Sequence, residues 1–78
     1  MIKKKVLLNE VEMIKSFVHC VSSRCESDVT LHSGRHYIDA KSLLGVFSLN
    51  LSQPVDIDFA DEDDYKIIKD YMPAVFAA

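Results

Sequence analysis

The stretch Val55-Asp56-Ile57-Asp58-Phe59 alternates apolar and acidic residues without a break. Successive side chains of a β-strand point to opposite faces, so this segment has one face for a core and one for water. A sheet that is dry on one side needs a covering layer there. The rest of the chain must therefore supply helices with an apolar stripe and further half-polar strands.

It supplies both. Val11, Ile14, Val18 and Val21 recur at intervals of three and four, joined by Phe17. Glu10, Glu12, Lys15, Ser16, His19, Ser22 and Ser23 fill the other side, which predicts a helix of about four turns. Asn9, with Glu12 three residues on, predicts its capping box. Lys3 to Leu8 reads as a first strand, with the triplet Lys3, Lys4, Lys5 protecting a sheet edge. From Asp28 the period switches to two and Ser33-Gly34 offers a tight turn, so residues 28 to 40 predict a hairpin. Ala40 to Leu51, "AKSLLGVFSLNL", crowds Leu43, Leu44, Val46, Phe47, Leu49 and Leu51 into a segment too short to cross a membrane. It predicts a short helix capped by Ser42 that cannot bury all of these residues on one face. "LSQP" then breaks the chain before the alternating strand. "ADEDD" collects carboxylates where the dipole of a last helix favours them. Tyr65, Ile68, Tyr71 and Met72 are that helix's apolar stripe, and Pro73 limits its length. The expected fold is α+β, a single domain over residues 1–78 in the order β-α-β-β-α-β-α. A four-stranded antiparallel sheet would carry all its helices on one face, as an open-faced two-layer sandwich.

Composition narrows the function. The net charge of −3 leaves no electrostatic footprint for nucleic acid. No signal-peptide pattern is visible at the start, and no apolar run approaches the roughly 20 residues that span a bilayer, so the expectation is a cytoplasmic protein without membrane insertion. Cys20 and Cys25 are a single C-x4-C pair, unlike the dense frameworks of secreted scaffolds, and are expected as free thiols. With His32 and His36 they form an order of ligand types that zinc accepts, but the central spacer is shorter than a zinc finger's. No metal site and no cofactor is expected.

The segment "KSLLGVFSL", Lys41 to Leu49, resembles the regulatory-serine segment of the HPr family, the phosphocarrier proteins of the bacterial sugar phosphotransferase system. Lys-Ser, two bulky aliphatics, Gly-Val, one more apolar residue and Ser-Leu follow in the family's order. The likeness runs from about Phe17 to Tyr71, with hairpin, fourth strand and acidic helix start in register. The resemblance implies an HPr-like sandwich whose short second helix exposes an apolar docking patch for enzymes and regulators. Carried over, Leu43, Leu44 and Phe47 are the partner-binding residues, Val46 and Leu49 turn inward, and Ser42 is the phosphorylation candidate.

The same resemblance exposes a loss. HPr carries phosphate on a histidine just before the first helix, in a His-x-Arg-Pro setting, where free backbone N–H groups and the arginine meet the phosphoryl charge. Here that place reads "LLNEVEMIKSF", with no histidine, arginine or proline between Leu7 and Phe17. Glu10 stands near the histidine's place and Glu12 near the arginine's, and two carboxylates there repel a phosphodonor. The expectation is a non-enzymatic regulatory or protein-binding relative of HPr, with no catalytic residue and a protein partner of phosphotransferase or catabolite-regulation type. The alternative is a working phosphocarrier that uses a displaced histidine among His19, His32 and His36.

Overall fold

The computed structural model describes residues 1–77 of the chain. Four antiparallel strands form one sheet in the order β1-β4-β2-β3, where β1 is Ile2–Val6, β2 Val29–Ser33, β3 His36–Asp39 and β4 Val55–Phe59. Helices α1 (Val11–Arg24), α2 (Leu43–Phe47) and α3 (Glu62–Tyr71) cover one face, and a 3-10 turn, Pro73–Ala77, closes the chain. The order β-α-β-β-α-β-α and the one-sided cover are those that the sequence patterns predict.

The alternating segment is a central strand. Val55, Ile57 and Phe59 are buried, and Asp56 and Asp58 lie on the open face. Strand β4 sits between β1 and β2, with Lys5 opposite Asp56 on one side and His32 opposite Asp56 on the other. β1 is an edge strand carrying the three lysines, which oppose unwanted pairing there. It is shorter at its far end than the expected Lys3 to Leu8. Val6 pairs with Val55, and beyond Val55 stands Pro54, which has no N–H to continue a ladder. Leu7 instead donates its N–H to the Val75 carbonyl at 2.9 Å, and Leu8 is fully buried in the core.

This exit changes the start of α1. The N-cap is Glu10 rather than Asn9, in extended backbone (φ −128°, ψ 140°), and no side chain caps the helix. With Leu8 fixed in the core, the chain uses Asn9 and Glu10, at about 3.3 Å of rise each, to climb from the sheet to the helical layer. The helix therefore begins one residue later, and the expected capping box does not form. Val11, the first helical residue, is 55% exposed instead of belonging to the buried stripe; Ile14, Phe17, Val18, Cys20 and Val21 carry the packing. Burying apolar side chains contributes roughly 1.5–3 kcal/mol each, so this face is the main attachment of α1 to the sheet.

Helix α3 starts as the acidic run suggests, with the Asp61 carboxylate accepting from the Asp63 N–H at 2.9 Å. Asp64 departs from the simple dipole reading, for it is buried at 4% exposure and accepts from the Ser27 N–H at 3.0 Å. Tyr71 lies outside the core, 58% exposed, with the Arg24 guanidinium stacked 3.8 Å above its ring. The other three residues of the expected stripe hold, with Ile68 fully buried and Tyr65 and Met72 half-buried against the core. Val75 of the closing 3-10 turn is buried as well, and Phe76 joins Phe59 and Tyr65 in an aromatic cluster.

Candidate functional site

Ser42 has extended backbone, and its Oγ accepts from the Gly45 N–H at 3.2 Å, which satisfies one of the free donors at the start of α2. The helix is held to its neighbours along one side only. Val46 is fully buried, Leu49 nearly so, and Gly45 faces Ile38 of β3 so closely that a Cβ there would stand 2.7 Å from Ile38 Cγ2. Only glycine permits that approach. The other side of α2 faces water: Leu43 is 37%, Leu44 86% and Phe47 42% exposed. Large apolar side chains grouped this way on so small a surface are an unsatisfied face. The amphipathic split of AKSLLGVFSLNL is thus resolved by burying Ala40, Val46 and Leu49, half-burying Leu51, and leaving Leu43, Leu44 and Phe47 outward.

From Ser42 onward this segment runs back along α1. At one end the Ser22 hydroxyl donates to the Lys41 carbonyl at 3.3 Å. At the other, Leu51 and Ser52 meet Leu8, Asn9, Val11 and Ile14 around an open groove of about 380 Å³. No imidazole lines this groove. Glu10 and Glu12 stand exposed at the adjoining helix start, and Glu12 is 3.9 Å from Lys15. The three histidines lie elsewhere. His19 is exposed within α1, His36 is exposed on β3, and His32 sits half-buried on the open face of the sheet.

His32 has partners that the sequence does not reveal. Its ring stacks on Tyr37 with centroids 4.8 Å apart. Its Nδ1 is 3.7 Å from Asp56 Oδ2 and its Nε2 is 3.3 Å from Asp58 Oδ2. Lys5 donates to Asp56 Oδ1 at 2.8 Å. That bond, first among several causes, holds the Asp56 carboxyl below its ordinary range. Asp58 Oδ1 is buried without a hydrogen-bond partner. Strand alternation puts all these side chains on the polar face, but only the register of β2 against β4 brings them together. Among the described residues, no group of three His, Cys, Asp or Glu side chains is arranged to hold a metal ion. Cys20 and Cys25 are both buried and free. Among the described residues, no helix is long and apolar enough to cross a membrane.

No family model matches the chain, and no curated protein matches it at a significant level. Among solved structures it is similar to the crystal structure of HPr-C-His from Thermoanaerobacter tengcongensis. That similarity has a TM-score of 0.73 at 20% identity and covers 100% of this chain and 98% of the other. The HPr-like fold expected from the Lys41–Leu49 segment is therefore present over the full length, and at this identity the likeness speaks for the fold alone.

Proposed function

We propose that the chain is a non-catalytic regulatory or protein-binding module of HPr type, related to the phosphoenolpyruvate-dependent sugar phosphotransferase system. It docks a protein partner through Leu43, Leu44 and Phe47, beside Ser42. The observation that carries this reading is a juxtaposition. An apolar helix face is left in water while the start of α1, where an HPr holds its phosphoryl acceptor, presents Glu10 and Glu12 and no imidazole. Coulomb repulsion between those carboxylates and an incoming phosphodonor disfavours transfer at that position. A surface that binds but does not accept phosphate at the first helix is a docking module.

Ser42 gives such a module a means of control. Its hydroxyl is the α2 cap, so a phosphate there would sit against helix N–H groups and next to Leu43 and Leu44. Roughly two negative charges at the rim of an apolar patch raise its desolvation cost on docking. The test offers two donors: phosphoenolpyruvate with the general phosphotransferase enzyme I, and ATP with the serine kinase that acts on HPr. The expected result is no acid-labile phosphate from the first and, where the kinase acts, acid-stable phosphate mapped to Ser42. Acid-labile phosphate on His19, His32 or His36 would establish the phosphocarrier reading in place of this one.

A further inference from the structure

The two edges of the sheet are guarded unequally. β1 carries Lys3, Lys4 and Lys5, whereas β3 reads His-Tyr-Ile-Asp, without a lysine or proline of its own. Ala40 donates its N–H to the Val29 carbonyl at 2.9 Å, and further along the hairpin Leu31 pairs with Ile38 and Ser33 with His36. Successive backbone groups of an antiparallel strand turn to opposite sides, so Ala40, Ile38 and His36 direct theirs to β2, and Tyr37 and Asp39 direct theirs outward. The Asp39 carbonyl is taken by the Ser42 N–H at 2.9 Å. The N–H and C=O of Tyr37 and the N–H of Asp39 are left at an edge where His36, Tyr37 and Asp39 are all exposed. Charges flank Tyr37 at equal spacing. Arg35 stands two residues before it, in the turn that Gly34 opens, and Asp39 two residues after. Among the described residues neither has an ion-pair partner, and the Asp39 carboxylate accepts from the Lys41 N–H at 2.9 Å.

We propose that β3 pairs antiparallel with β3 of a second copy of this chain, about a two-fold axis at Tyr37, and joins two four-stranded sheets into one. In that register each Tyr37 N–H meets the other copy's Tyr37 carbonyl, and each Arg35 stands opposite the other copy's Asp39. The occupant is a second copy because one antiparallel repeat of Arg35-His36-Tyr37-Ile38-Asp39 answers both unpaired charges at once. A contact confined to residues 35–39 falls short of the roughly 1,200–2,000 Å² of stable interfaces, so the pair is weak and forms at high protein concentration. It uses the sheet edge and is independent of docking on α2.

The test follows the 15N-labelled protein by NMR as its concentration is raised to about 2 mM, beside sedimentation of the same samples. The expected result is a reversible rise in mass with shifts and slowed exchange centred on the Tyr37 amide, while the amides of the lysine edge, β1, stay unchanged. Arg35→Asp sets like charges opposite each other at both ends of the contact and is expected to weaken self-association about tenfold. Asp39→Arg should do the same, with its fold checked by the dispersion of its spectrum. An equimolar mixture of the two variants restores opposite charges at both ends and is expected to associate where neither variant does alone. A chain still monomeric at the highest concentration, a Tyr37 amide indifferent to concentration, or Arg35→Asp associating as well as the unchanged protein each overturns the proposal. So does self-association lost in Leu44→Ser, which would place the contact on α2. If folded Asp39→Arg does not associate with Arg35→Asp, the proposal fails as well.

Discussion

The backbone N–H of Ser27 donates to the buried carboxylate of Asp64 at 3.0 Å, which ties the loop after α1 to the first turn of α3. Asp64 is the single buried charged residue among the described ones, and its position explains why the acidic start of α3 is more than dipole compensation. Asp64→Ala leaves the Ser27 donor without its partner and is expected to lower stability by about 1–3 kcal/mol. Asp64→Asn keeps an acceptor oxygen and is expected to cost less. Urea unfolding with unchanged m-values measures both, and equal losses for the two variants would contradict the assigned bond.

Gly45 is where α2 meets the sheet most tightly. In an open helix Gly→Ala gains about 1 kcal/mol, but here the added methyl stands 2.7 Å from Ile38 Cγ2, a branch close to the backbone that moves little. Overpacking of this kind costs about 1–3 kcal/mol, so Gly45→Ala is expected to destabilise on balance. Ile38→Ala removes the clashing branch. A double-mutant cycle should show the two changes costing less together than the sum of each alone, and strict additivity would mean that the approach is not tight.

Much of this architecture is legible in the chain because it rests on local periodicity. The alternation through Phe59, the three-and-four spacing from Ile14 to Val21 and the Ser42 cap each follow from neighbours within a turn or two. What is not legible depends on partners far along the sequence. Asn9 looks like a cap until Leu7 is seen bonded to Val75 and Leu8 packed in the core, which leaves Asn9 and Glu10 to bridge two layers. His32 looks like one more polar position of the hairpin until β4 is inserted beside β2, bringing Asp56 and Asp58 against its ring. Asp64 looks like its acidic neighbours until the loop at Ser27 folds onto it. The groove at α1 belongs to the same class, since Leu51 reaches Val11 only through the antiparallel run of α2 along α1.

Burial pushes the Cys25 thiol up from 9.0 to about 11, helped by the nearby Asp64 charge and by Cys20, with Lys41 acting the other way. A raised value means that the folded protein holds the proton more tightly than the unfolded chain does. The contribution of the neutral thiol to stability is therefore intact below pH 9 and is lost as pH rises from about 9 to about 11. Cys25→Ala should remove that alkaline decline. Thiol labelling of the native protein at pH 8 should be slow, becoming fast in urea, because the thiolate is the reactive form. Rapid native labelling at Cys25 would contradict its burial.

The split along α2 makes opposite demands on neighbouring positions. Leu44, 86% exposed, makes few contacts that folding depends on, so Leu44→Ser is expected to change stability by no more than about 0.5 kcal/mol. Val46, two residues on, is fully buried, and Val46→Ala leaves a void under the helix that is expected to cost about 1–2 kcal/mol. Phe47→Ser, at 42% exposure, should fall between them. Partner binding should order these variants differently, with Leu44→Ser and Phe47→Ser reducing it by tenfold or more on the scale of interface anchors, about 1.4 kcal/mol each or above. Val46→Ala should leave binding nearly unchanged under conditions where the protein stays folded. Calorimetric titration of partner into each variant, beside its thermal unfolding curve, measures the two orders together. If binding and stability fell in the same order across the three positions, the exposed side of α2 would be part of the structural core and not a surface for docking.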